Sequence, residues 1–174
     1  MSAVEARYGV RPTPRTEQSP RAFTGGEFAR GAAFALLWFQ PIAFASAWIA
    51  SLASGAEPGF VIVYLIFGFP LTLAATLAGS PLALVLGRVL RRQRRDLVHV
   101  LAFALYGAAW GYAVQALVFG FGSAMAALTL AYTIATSIAV AGGWWTTSRI
   151  ALARDRQRLQ PQSDVDALVA ADEE

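Results

Sequence analysis

The chain has 174 residues, 56 % of them hydrophobic and only 14 % charged, with a net charge of +3 and a mean hydropathy of +0.49. Soluble domains carry about 25 % charged residues, so this composition excludes an ordinary water-soluble domain and points to one membrane domain. There is no cysteine, which excludes a disulfide framework and a cysteine-based zinc site, and all fourteen basic residues are arginine.

Residues 1–23 are polar and contain Pro12, Pro14 and Pro20, which predicts a disordered tail. "TGGE" at 24–27 has the form of a capping box, with Thr24 as the cap and Glu27 three residues on. A membrane domain is therefore expected over 24–159. Four apolar runs follow, 31–52, 59–79, 97–119 and 123–144, and none contains Asp, Glu, Lys or Arg. At about 1.5 Å per residue each helix would cover about 31–35 Å, close to the ~30 Å hydrocarbon core. Lipid offers no partners to exposed backbone groups, so each run must be helical. The first run is longer than the apolar part of a secretory leader and is read as a span.

The connections 53–58 and 120–122 are too short for anything but antiparallel neighbours. The expected fold is an all-α integral membrane protein, a four-helix bundle of four transmembrane helices arranged as two antiparallel hairpins. Between the hairpins lies an arginine-rich loop, 80–96. Ser80-Pro81 at its start permits two readings: the second helix ends near Gly79 and restarts, or it continues with a kink. After Trp145 the fourth helix should continue to Gln160-Pro161, leaving an acidic tail over 160–174.

Orientation follows from the arginines. Five lie in the first 30 residues, five are Arg88, Arg91, Arg92, Arg94 and Arg95, and four follow the last span. The two other connections have none, so the positive-inside bias puts both termini and the 80–96 loop in the cytosol. Arginine without lysine in an alanine-rich chain fits a GC-rich bacterial genome, and the expected location is a bacterial cytoplasmic membrane. The arginine loop lacks the aromatic interleaving of a nucleic-acid patch; contact with anionic lipid, worth about 1 kcal/mol per arginine, is the expectation.

Small residues mark helix contacts: Gly107 and Gly111 in the third span, and Ala127, Ala131, Ala135, Ala139 and Gly143 at every fourth position in the fourth. They predict packing inside the bundle or a dimer face. Gln40, Thr72, Thr136 and Ser137 fall at similar depth and would form a polar layer near the midplane. Pro41 and Pro70 predict kinks. His99, the one histidine, is expected as an interfacial polar residue sharing a helix face with Asp96. Trp144-Trp145 fits an interfacial belt, and Trp38 and Trp110 are expected as packing residues.

No catalytic, metal, nucleotide or cofactor motif is present, and no motif marks a family. The leading expectation is a non-enzymatic membrane protein whose partners are the bilayer and either a second copy or another membrane protein, with no nucleic acid. A small transporter or channel module for a neutral or weakly polar solute is the alternative, since no ionisable residue sits at midplane depth. A lipid-phosphate enzyme using His99, Asp96 and the arginine cluster ranks last, because a lone histidine without a nucleophile or ligand set makes no active site.

Overall fold

The computed structural model describes residues 14–54, 59–120 and 126–172; within these, side chains are described over 14–49, 52, 66–118, 120 and 128–157. The described residues form four helices: α1 (Gly25–Ser54), α2 (Gly59–Leu90), α3 (Asp96–Phe119) and α4 (Ala126–Asp172). Three of them contain stretches long and apolar enough to cross a membrane, Gly25–Ile49, Ile66–Leu90 and Asp96–Val118. The expected fourth span begins outside the described residues. The two short connections do so in large part, at 55–58 and 121–125.

α1 starts as its sequence dictates. The Thr24 N–H donates to Glu27 Oε2 at 2.9 Å, and the Glu27 N–H donates to Thr24 Oγ1 at 3.2 Å. This reciprocal pair satisfies two donors that a helix start leaves open. The same box sets the helix origin well before residue 31, so α1 is longer than its apolar run.

α2 decides between the two readings of Ser80-Pro81: it is one helix of 32 residues with Pro70 and Pro81 inside it. Ser80 does not cap a new helix. Its hydroxyl turns back and donates to the Thr76 carbonyl at 2.7 Å. The non-helical linker is therefore 91–95, shorter than the expected 80–96, and Arg88 lies in the last turn of α2, where a cation meets the negative end of the helix dipole. α4 likewise runs past the expected break at Pro161 as a helix of 47 residues. Proline keeps a helical φ, and its lost backbone bond and the clash of its ring with the preceding turn bend a helix as readily as they end it.

α4 is the centre of the molecule, with α1 along one side and α3 along the other. Small residues allow this close approach. A Cβ on Gly143 would fall 2.7 Å from the Ala35 nitrogen and 2.8 Å from the Gly31 carbonyl, and one on Gly107 would fall 2.7 Å from the Thr136 carbonyl. The tightest core cluster is Ala43, Ala47, Tyr132 and Ala135, flanked by Phe39, Ile42 and Leu128. α2 lies across this three-helix layer and touches it sparsely.

The expected disordered tail is corrected over 14–23. Arg15 bridges Glu27 of α1 and Asp155 of α4, at 3.0 and 2.9 Å. Arg21 pairs with Asp96 of α3 and donates to the Ser148 hydroxyl of α4. The Arg21 N–H donates to the Arg91 carbonyl at 3.2 Å, and Phe23 packs where Gly87 of α2 leaves room. This short strap thus engages all four helices at the arginine-rich end. Composition alone missed it because its partners are far away in sequence. Residues 1–13 lie outside the described residues.

Candidate functional site

The sparse seating of α2 leaves a cavity of about 590 Å³ between it and the α1–α4–α3 layer. That volume lies within the roughly 300–1,000 Å³ usual for ligand sites. Phe28, Phe39, Phe67, Phe103, Val114 and Val140 supply part of a largely apolar wall. The cavity runs along the bundle axis. On α4 it is lined from Leu128 to Ala151, a rise of about 35 Å. At the arginine-rich end its wall includes Arg15, Arg21, Phe23 and Glu27, so the strap borders that end.

Two aromatic residues hold α2 in place across this space. The Tyr106 hydroxyl donates to the Gly79 carbonyl at 2.7 Å, and Trp110 Nε1 donates to the Ala75 carbonyl at 3.0 Å. Gly79 is required there, because a Cβ would fall 2.7 Å from the Tyr106 hydroxyl and 2.8 Å from Trp110 Nε1. Sequence reasoning took Trp110 as a packing residue and missed Tyr106 and Gly79. The available signal was the four-residue spacing of a Tyr and a Trp, whose polar tips need partners when buried.

The expected polar layer divides. Thr72 and Thr136 both line the cavity, while Gln40 and Ser137 do not. Thr72 donates to Gly68 O and Thr136 to Tyr132 O, each four residues back on its own helix. Ser137 bonds across to Ala104 O of α3 at 2.9 Å. Gln40 Nε2 is buried without a hydrogen-bond partner among the described residues.

The small-residue positions face inward where they are described. Gly111 lies against the Thr136 side chain and Gly107 against the Thr136–Ser137 backbone, both on α4. Ala135 and Ala139 are fully buried, and Gly143 meets α1. Ala131 is partly exposed, and the Ala127 side chain lies outside the described residues. Arg88, Arg91, Arg92, Arg94 and Arg95 are all exposed; Arg94 reaches the Glu17 carbonyl of the strap at 3.4 Å.

His99, in the first turn of α3, is buried between helices. It is 2 % exposed and stacks on Trp144, with ring centroids 4.8 Å apart and an interplanar angle of 14°. Its Nδ1 lies 3.2 Å from the Arg95 carbonyl. Asp96 is engaged by Arg21 of the strap. Trp145, by contrast, is exposed and carries the Arg149 guanidinium 4.3 Å above its ring. Trp38 points outward. Among the described residues no group of three or more His, Cys, Asp or Glu is placed to hold a metal. No family model matches the chain, and neither the curated proteins nor the solved structures give a match.

Proposed function

We propose that this chain is a non-enzymatic, four-span protein of a bacterial cytoplasmic membrane that holds an apolar or weakly polar molecule inside its bundle, as a small transporter or carrier module would. α4 is the fourth span in this reading, and both termini and the 91–95 linker are cytosolic, with its arginines against anionic lipid.

The observation that carries the reading is the apolar cavity behind α2. Its size falls in the range of about 300–1,000 Å³ usual for ligand sites, and its lining is largely apolar, so it suits an apolar guest. The outward faces support membrane placement, since Leu37, Leu77, Leu105 and Leu117 are each more than half exposed with no charged residue within the apolar run around them.

Action through packing with a second copy or another membrane protein is the weaker reading. Gly107, Gly111, Ala135, Ala139 and Gly143 meet neighbours inside the bundle, so this small-residue stripe is already used and a partner would have to take an outward face. Native mass spectrometry of the protein released from membranes tests the choice. A small-molecule adduct on the wild type, absent from Ala83→Phe, supports the cavity. A stable dimer without adduct, unchanged by Ala83→Phe, supports packing with a partner instead.

A further inference from the structure

One end of the cavity is walled in part by a segment that belongs to no helix. Arg15, Arg21 and Phe23 of the 14–23 strap line it, together with Glu27 and Phe28 at the start of α1. The strap is folded on itself, since Thr16 and Ser19 exchange backbone hydrogen bonds at 3.0 and 3.3 Å. It is also fastened on every side of that end. Arg15 meets Glu27 of α1 and Asp155 of α4, and Arg21 meets Asp96 of α3 and Ser148 of α4. The Arg21 N–H donates to Arg91 O, and the Arg94 guanidinium donates to Glu17 O, which ties the strap to the 91–95 linker. A segment that lines a cavity and is fastened to the helices around it spans the mouth.

The fastenings change in kind along the strap. At its last residue they are apolar: Phe23 stacks on Phe28 with ring centroids 5.9 Å apart and fills the space that Gly87 of α2 leaves. Phe23 leads directly into the capping box of Thr24 and Glu27, so this end is fixed to α1. Ahead of it the fastenings are ion pairs and hydrogen bonds at the arginine-rich end. Water replaces such partners at small net cost. This part of the strap can leave while α1, α4 and α3 stay packed at backbone distance.

We infer that the strap is the lid of the cavity. Hinged at Phe23–Thr24, it closes the arginine-rich mouth, and the ion pairs of Arg15 and Arg21 are its latch. With the latch made, a guest is shut in from that side; with it broken, the cavity opens there to water. This rests on the cavity reading and adds its regulation, and the test separates the two.

Ala83 lies on the cavity wall one turn of α2 before Gly87, just inside the mouth, and Val114 lies on the wall toward the opposite end. The chain has no native cysteine, so Ala83→Cys and Val114→Cys each report entry of a membrane-impermeant maleimide in nanodiscs. Labelling tracks the open fraction of the lid. At Ala83→Cys it should be slow with the latch intact and at least about tenfold faster with Arg21→Asp, the value of one charge-assisted hydrogen bond. Adding Asp96→Arg re-forms the pair in reverse and should restore slow labelling. Val114→Cys should change little throughout. The lid is overturned, and the cavity stands, if Ala83→Cys labels equally fast with the latch intact or broken, or if the reversed pair fails to slow it. Equal acceleration at Val114→Cys, or amides over 14–23 that stay protected in Arg21→Asp, overturns it as well. If Ala83→Cys stays unlabelled even where amide exchange shows 14–23 released, no space lies behind the strap and the cavity reading itself fails.

Discussion

Glycine does three different jobs at three positions, and each predicts a different outcome on gaining one methyl group. At Gly143 the new Cβ meets the α1 backbone, which cannot give way without moving the helix. Gly143→Ala should destabilise the protein by about 1–3 kcal/mol, as overpacking does. Gly142, one residue earlier, has nothing within 4 Å. Gly142→Ala should therefore be neutral or stabilise α4 by up to about 1 kcal/mol through helix propensity. Thermal unfolding of the two variants in one detergent gives the comparison, and equal melting temperatures would contradict the packing of α4 on α1. At Gly79 the methyl displaces the polar tips of Tyr106 and Trp110. Gly79→Ala should lose two cross-helix hydrogen bonds, about 2 kcal/mol together. A red-shifted tryptophan emission should accompany it as α2 lifts away.

Among the elements, the strap and α2 carry the least apolar packing, and both border the cavity. The strap is held by ion pairs and a few backbone bonds. Exposed pairs contribute about 0–1 kcal/mol, so these partly buried ones hold it only moderately. Amide exchange over 14–23 should nonetheless be slower than in a free peptide, and Arg21→Gln should release it by removing the contacts to Asp96 and Ser148. Free exchange over 14–23 in the wild type would mean that the strap does not dock. Thr24→Ala removes one half of the capping box and should cost about 1 kcal/mol at the start of α1, without affecting α3.

At the scale of the whole molecule, the even placement of arginine at one end makes topology the decisive measurement. The chain has no native cysteine, so single cysteines introduced near either terminus and in 91–95 report side directly. All three should label from the cytosolic side. Replacing Arg91, Arg92, Arg94 and Arg95 with Lys should preserve this, because both residues count in the positive-inside bias. Four Gln replacements should misplace α2 and α3 in a fraction of molecules. A Lys variant that inserts correctly yet loses function would point to a planar, bidentate arginine contact with an anion.

Three apolar helices and the starting box of α1 were legible in the sequence, because both depend on neighbours within a few residues. Helix demand in lipid follows from composition over about 20 positions, and the capping box spans four. The glycine and alanine spacing on α3 and α4 marks small residues in the sequence, but not which helix each of them meets. The continuity of α2 was undecided at Ser80, since a serine hydroxyl serves a cap or an i−4 carbonyl equally well. What tertiary structure decided was everything that joins distant residues. Arg15 finds Asp155, Arg21 finds Asp96, and His99 finds Trp144. The cavity belongs to the same class. It exists because Tyr106 and Trp110 hold α2 at the length of an aromatic side chain while α1, α4 and α3 close to backbone contact. A space left between helices is set by the largest side chains bridging it, and no local pattern in the chain records which ones those are.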